Sequence, residues 1–156
     1  MVFLWRKSMA KFSYRMQSIL DVKLKMESQA KIAYSMANKK LAEEQEKLRG
    51  ILARRAAYES EAKELVSGVI DVRRIKENKL SIDILKSQQR TQMMNVHVAE
   101  KNVEAARKHL NEVMTERKAH EKLKEHKFEE FKREIQQIES KEIDELVSYS
   151  FKDSEQ

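Results

Sequence analysis

The side chains best suited to bind a metal ion or move a proton are the four histidines: His97, His109, His120 and His126. Two histidines that share an ion on a helix usually stand four residues apart, and no pair here has that spacing. His109 and His120 lie about three helical turns apart, too far for one ion. We therefore read the histidines as polar residues on a solvated or weakly packed helix face and expect no metal.

Phosphate-binding loops and thiol chemistry are excluded by the residue types present. The sequence has no cysteine, and its only glycines are Gly50 and Gly68, so neither G-x-G-x-x-G nor G-x-x-x-x-G-K-[ST] occurs. The carboxylates are interspersed with lysine and arginine. Pairs such as Glu43–Lys47 have the i, i+4 order that stabilises an exposed helix, which explains most of the charge. No cofactor or small-molecule substrate is expected.

The composition indicates an all-α protein made of long helices. Ala, Glu, Lys, Arg and Leu make up half of the 156 residues, and charged residues are 37%. Such a composition is typical of coiled coils. Without proline, and with two glycines, the chain has too few turn residues for a sandwich or barrel. The length suits one domain.

Positive charge is concentrated near the N-terminus. Residues 1–40 hold nine Lys or Arg against Asp21 and Glu27, a net charge of +7, whereas the whole chain carries +6. This field should attract an acidic partner, either a nucleic acid, an anionic membrane or an acidic protein surface. No apolar stretch reaches the ~18–20 residues that span a membrane, so the cytoplasm is the expected compartment. Met9 follows an N-terminal leader, residues 1–9, whose first eight residues need not belong to the fold.

Two heptad seams predict helices that pack against each other. The first comprises Tyr34, Ala37, Leu41, Glu44, Leu48, Ile51, Arg55, Tyr58, Ala62, Leu65 and Val69. Upstream, an apolar stripe with a spacing closer to 3.6 comprises Phe12, Met16, Ile19, Val22, Met26, Ala30, Ala33 and Ala37, which predicts less supercoiling there. The second seam comprises Val96, Ala99, Val103, Ala106, Leu110, Val113, Arg117 and His120, and it continues through Phe131, Ile135, Ile138, Ile143 and Leu146.

The break between the seams lies near residues 67–71. Gly68 suits the left-handed conformation that ends a helix, and Asp71 can cap the next one. Gly50 lies inside an unbroken seam and is predicted to be helical. We expect helices over roughly residues 10–66 and 72–147, an antiparallel coiled-coil hairpin over residues 10–151, and a C-terminal tail over residues 152–156. A two-helix hairpin has no deep pocket for acid–base chemistry, so nothing supports an enzyme.

The second helix is predicted to outrun the first beyond about residue 130. Its apolar stripe nevertheless continues, which a solvated overhang does not need. One explanation is that another protein covers this stripe. The other is that the leader extends the first helix and covers part of it.

Three segments resemble the flagellar export protein FliJ family. Residues 12–23 are similar to its opening, F-x-[FY]-R-[LM]-Q-x-[VI]-L-x-x-[KR]. Residues 116–125 resemble its basic-acidic second-helix segment, and residues 141–146 resemble its ending, E-[IL]-D-E. The glycine turn lies where that family turns its hairpin, and the resemblance covers roughly residues 9–151.

The resemblance implies a non-enzymatic, stalk-like component of the flagellar type III export apparatus at the cytoplasmic face of the membrane. Members bind the hexameric export ATPase with the end that carries both termini. They also contact the cytoplasmic domain of the export gate protein and escort export chaperones. On this basis we assign ATPase-ring binding to Phe12, Met16, Phe131, Ile135, Ile138 and Leu146. The gate-binding residues would be Leu80 and Ile84, to which we add Tyr58.

Two other functions are compatible with the pattern. One is a generic structural coiled coil or a stalk subunit of a rotary ATPase. The other is a basic binder of nucleic acid or a membrane surface. No zinc finger, basic-zipper block or RNP motif accompanies the lysines, so nucleic acid is not the expected partner.

Overall fold

The protein consists of two long α-helices joined by a short connection. The structure, a computed structural model, describes residues 11–155. Helix α1 spans Gln17–Leu65 and has 49 residues, and helix α2 spans Val72–Ser154 and has 83. No strand occurs among the described residues, and the two helices contact each other. The predicted all-α helical hairpin is confirmed.

Both helix ends nearest the termini differ from the sequence prediction. Helix α1 begins at Gln17 rather than near residue 10, after an irregular segment and a turn in which the Gln17 backbone N–H donates to the Tyr14 carbonyl (3.1 Å). Helix α2 continues to Ser154, well past residue 147. The chain has no proline and no glycine after Gly68, so no residue type there interrupts helical hydrogen bonding.

The connection between the helices contains a left-handed glycine and a helix cap. Gly68 has φ +97°, a conformation that strains any residue with a Cβ. The Asp71 carboxylate accepts hydrogen bonds from the backbone N–H groups of Arg73 (3.0 Å) and Arg74 (3.4 Å), which otherwise lack a helical partner. Gly50, by contrast, lies inside the unbroken helix α1.

The hairpin divides into two compact units. The turn-side unit is Glu27–Glu112, and the terminal unit is formed by the chain up to Met26 together with the chain from Val113 onward. Within the turn-side unit, α1 and α2 are antiparallel: Gln92 contacts Glu44, and Asn78 contacts Tyr58, so numbers fall along one helix as they rise along the other.

The buried face of α1 keeps one 3–4 spacing throughout, which corrects the predicted 3.6-residue stripe. Ile19 and Val22 are exposed, although they are apolar. The residues that continue the seam upstream of Tyr34 are instead Leu20, Lys23, Glu27 and Ala30, all buried or half-buried. Two of these seam positions hold charged side chains, Lys23 and Glu27, and the residue before each of them is apolar. Hydrophobicity alone therefore pointed to the wrong positions.

The buried face of α2 follows the predicted seam as far as His120 and also extends toward the turn. The additional seam residues on the N-terminal side are Ile75, Asn78, Ile82, Leu85, Gln89 and Gln92, all buried or half-buried. Three of these six are amides, which explains why the sequence pattern did not reveal them. The resulting core is narrow and partly polar.

Candidate partner-binding surfaces

Buried polar side chains fix the register of the turn-side unit. Gln92 in α2 donates from Nε2 to the Glu44 backbone carbonyl (2.9 Å) and to the Glu44 carboxylate. Two heptads nearer the turn, Asn78 donates from Nδ2 to the Tyr58 carbonyl (3.0 Å). Buried polar groups of this kind specify helix alignment, because any shift along the seam leaves the amides unpaired.

The Glu44 carboxylate is stabilised in its charged form despite being buried. Besides the bond from Gln92, it pairs with Lys40 Nζ at 3.0 Å and Lys47 Nζ at 3.4 Å. The hydrogen bond from Gln92, followed by that from Lys40, lowers the pKa of Glu44 from 4.5 to about 2. The same pairing raises the pKa of Lys40. The Glu44 carboxylate therefore stays charged at neutral pH and stabilises the contact between the two helices. A carboxyl group with so low a pKa is poorly suited to proton transfer at neutral pH.

An aromatic cluster closes the irregular N-terminal segment onto α2 in the terminal unit. The Phe12 ring lies 5.1 Å from Phe128 and 5.4 Å from Phe131 between centroids. Lys132 Nζ lies 4.6 Å from the Phe128 ring centroid. Phe131 thus has an intramolecular partner, which corrects the expectation that its surface is uncovered. Phe128, three residues before Phe131, was not among the residues predicted from the sequence.

The terminal unit also contains an ion pair between its helices and a buried hydroxyl. Lys23 Nζ donates to the Glu116 carboxylate at 2.8 Å; the Lys23 side chain is half-buried and that of Glu116 is exposed. The Tyr14 hydroxyl is buried and has no hydrogen-bond partner among the described residues. A buried hydroxyl without a partner is costly.

The described C-terminal turns of α2 carry exposed apolar side chains around most of the helix. The exposed residues are Ile138, Ile143, Leu146, Val147, Tyr149 and Phe151. We call these six residues the C-terminal apolar patch. Of the residues predicted to bind an ATPase ring, Ile138 and Leu146 belong to this patch, Met16 is exposed, and Phe12, Phe131 and Ile135 are half-buried. The alternative in which residues 1–9 cover the stripe lies outside the described residues.

The three residues predicted to bind an export gate do not share one surface. Leu80 and Ile84 are exposed and lie one turn apart on α2. Tyr58 lies on the seam of α1, where its carbonyl accepts the bond from Asn78. Because Leu80 is two residues beyond Asn78, it projects from the opposite side of α2.

The described residues offer few features of a small-molecule site, a metal site or a membrane-spanning helix. A shallow depression of about 280 Å³ is lined by Ile51, Ser87, Gln88, Thr91 and Gln92. No group of three potential ligands among the described residues could hold a metal ion. Within the same residues, no helix combines the length and the hydropathy needed to cross a membrane.

Comparisons with known proteins give one match. Neither a curated protein nor a solved structure matches the chain significantly. The family model described as "Flagellar FliJ protein" matches residues 12–156, nearly the whole chain. This range includes the opening and ending segments that resemble the family, together with the glycine turn and both described helices. The chain therefore belongs to the flagellar FliJ protein family of export-related coiled-coil proteins.

Proposed function

We propose that this protein acts in flagellar type III export by binding the hexameric export ATPase through its terminal unit. The observation that carries the proposal is the C-terminal apolar patch. Apolar side chains that a partner fully buries gain about 1.5–3 kcal/mol each, so a patch of six is a sizeable source of binding free energy. Because the six side chains are exposed on α2, they contribute little to the packing of the hairpin, and binding to a partner would explain why they are apolar.

The role of the hairpin in this complex is to bias the ATPase, not to hydrolyse nucleotide. The sequence holds no phosphate-binding loop, so the ATPase subunits would supply all the chemistry. A bound helix changes a neighbour's activity only by its differential affinity for that neighbour's conformations. We accordingly expect the patch to promote ring assembly and to raise the rate of hydrolysis.

The turn-side unit would contact a second partner, the cytoplasmic domain of the export gate protein. Leu80 and Ile84 support this proposal, because they are exposed, apolar and on one face of α2. Tyr58, which is 37% exposed on α1, would be a further contact with this partner on the facing helix. These contacts, together with escort of export chaperones, would place the protein at the cytoplasmic face of the membrane.

A matched pair of substitutions tests the ATPase proposal. Ile138 is 55% exposed and belongs to the patch, whereas Ile32 is 59% exposed and lies in the turn-side unit. We expect Ile138→Asp to abolish stimulation of the purified export ATPase and co-purification with it. Ile32→Asp adds the same charge to a similar site and should leave both intact.

Circular dichroism must accompany this test. Equal helicity of both variants would show that the loss reflects binding. Full stimulation by Ile138→Asp, with the fold retained, would move the docking site elsewhere.

A further inference from the structure

A short segment before α1 packs on α2 through one aromatic side chain. Residues 11–16, which we call the strap, are irregular or in a turn, and α1 begins only at Gln17. The Phe12 ring of the strap lies 5.1 Å from the Phe128 ring and 5.4 Å from the Phe131 ring between centroids. Phe128 and Phe131 stand three residues apart, so both lie on one side of α2. The strap therefore covers an aromatic surface of the terminal unit.

The covered surface belongs to a longer apolar row of α2. Phe128, Phe131, Ile135 and Ile138 have the alternating 3–4 spacing of one helix face. Ile138 is exposed and belongs to the C-terminal apolar patch, whereas Phe131 and Ile135 are half-buried. Phe12 thus occupies one end of a row whose other end joins the patch. An opened strap would add two aromatic rings to the surface proposed to bind the ATPase.

The strap has the residue types of a segment that could continue α1 as a helix. Residues 11–16 contain neither glycine nor proline. The Asp71 side chain caps the first turn of α2, but among the described residues no side chain accepts a hydrogen bond from the first backbone N–H groups of α1. Further residues can join such an end without breaking a cap. A second conformation, in which the strap lengthens α1, is therefore open to it.

The irregular and the helical strap exclude each other. Helical positions seven residues apart share a face, so in a lengthened α1 Phe12 would lie on the row of Ile19 and Tyr14 on that of Asp21. Ile19 and Asp21 are both exposed in the structure. A helical strap would therefore present Phe12 to solvent. Phe12 can cover Phe131 only while the strap is irregular.

Opposing contributions limit the stability of the closed strap. Contact of Phe12 with two rings favours the closed form, because aromatic pairs gain free energy beyond the burial of their area. The Tyr14 hydroxyl disfavours this form, since it is buried without a hydrogen-bond partner among the described residues. On the exposed row of Asp21 the same hydroxyl would reach water. A partner that binds the open form can therefore shift the balance.

We infer that the strap is autoinhibitory: it closes over Phe128 and Phe131 in the free protein and is displaced when the export ATPase binds the terminal unit. The inference rests on the proposed function for the identity of this partner, which would present an apolar side chain in the place of Phe12. The released strap is then free to lengthen α1. Phe12, which the resemblance assigns to ring binding, competes with the ring instead of contacting it.

Spin labels on the free protein test whether Phe12 holds the strap. Ser13 and Glu134 are exposed and lie near Phe12 and Phe131 in sequence, so Ser13→Cys with Glu134→Cys carries the labels in a chain without other cysteines. We expect one distance in the parent and a second population when Phe12→Ala is added. Leu24→Ala, which shortens an exposed apolar side chain of the same unit, is the control and should leave one distance. A single unchanged distance with Phe12→Ala would overturn the inference.

The same labels test displacement by the partner. In the complex with the purified export ATPase, the main population should be the one that Phe12→Ala adds in the free protein. Retention of the parent distance in the complex would mean that the strap stays closed on binding, which contradicts the inference.

Affinity for the export ATPase tests the competition. Phe12→Ala should lower the dissociation constant about two- to tenfold, since aromatic contacts contribute a factor of that size and the apparent affinity scales with the open fraction. Tyr14→Phe should raise the constant about fivefold, because it removes the unpaired hydroxyl that disfavours the closed strap. Leu24→Ala should leave it unchanged. Direct contact between Phe12 and the ring predicts the opposite, weaker binding of Phe12→Ala.

Two negative results have different meanings. If the wild type binds the ATPase and Phe12→Ala binds equally or more weakly, the strap is not autoinhibitory and the proposed function stands. If neither the wild type nor Phe12→Ala binds, the proposed function is wrong and the inference that rests on it is wrong as well.

Discussion

A single buried carboxylate shows how this hairpin uses charge at the residue scale. Glu44 occupies a seam position, yet the Gln92 amide donates to both its carboxylate and its carbonyl. The two lysines that pair with it are largely exposed, so solvent and salt weaken their contribution. The amide from the facing helix is the stronger stabiliser of the charged form.

The lowered pKa of Glu44 predicts an acid-sensitive contribution to stability. With a folded pKa of about 2 and an ordinary value of 4.5, the carboxylate contributes fully above about pH 4.5. That contribution is lost as the pH falls toward 2. Urea unfolding of the wild type and of Glu44→Gln, measured between pH 7 and pH 2, should show their difference shrinking across this window. A difference that stays constant from pH 6 to pH 2.5 would contradict the assignment.

The unpaired Tyr14 hydroxyl predicts a stabilising substitution. Tyr14→Phe removes a buried polar atom that has no partner among the described residues and keeps the ring that stacks on Phe12 at 6.5 Å. We expect a gain of about 1 kcal/mol in the free energy of unfolding. Thermal or urea unfolding would measure it. A loss of stability would mean that the hydroxyl is hydrogen-bonded in solution.

At the scale of helices, register depends on amides more than on apolar packing. Asn78 and Gln92 each reach a carbonyl of α1, and the two bonds stand two heptads apart with the buried Ile51 and Leu85 between them. Alanine-rich layers elsewhere in the seam discriminate poorly between alignments. The amides therefore supply specificity at some cost in stability.

Replacing these amides should separate their effect on helix register from their effect on unfolding stability. Asn78→Leu combined with Glu44→Leu and Gln92→Leu removes both amides and the carboxylate that they leave behind, so unfolding stability should stay equal or rise. The alignment should become degenerate. Spin labels at Leu52→Cys and Met93→Cys should report one distance in the parent and a second population shifted by about 10 Å, one heptad, in the variant. A single unchanged distance would assign the register to the apolar residues.

The helices were predictable from sequence to the extent that periodicity and turn chemistry were visible. Gly68 and Asp71 marked the connection because one supplies φ > 0 and the other caps free N–H groups. The seam upstream of Tyr34 was not visible, since Lys23 and Glu27 occupy it while Ile19 and Val22 stay exposed. The start of α1 was misplaced because Phe12 packs on Phe128, a contact between distant residues that local propensity does not encode.

At the scale of the whole molecule, the N-terminal positive charge is only partly available to partners. Lys23, Lys31 and Lys40 pair with Glu116, Glu27 and Glu44. Among the described residues, Lys25 and Lys39 are exposed, form no ion pair and stand two heptads apart on α1. Exposed charges change the rate at which a partner is captured more than they change final affinity.

The contrast between ion-paired and unpaired lysines predicts different binding kinetics for their variants. The sequence alone does not distinguish these lysines. Lys25→Gln with Lys39→Gln should slow association with an acidic partner such as the export ATPase severalfold and flatten the salt dependence of that rate. The dissociation rate should change little, because neither side chain is committed to a contact.

Lys23→Gln is the control. It removes the Lys23–Glu116 ion pair inside the terminal unit, so it should lower unfolding stability by up to about 1 kcal/mol and leave the salt dependence intact. Stopped-flow binding at several ionic strengths measures both effects. An unchanged association rate with a faster dissociation rate for the double variant would mean that Lys25 and Lys39 lie within the bound interface.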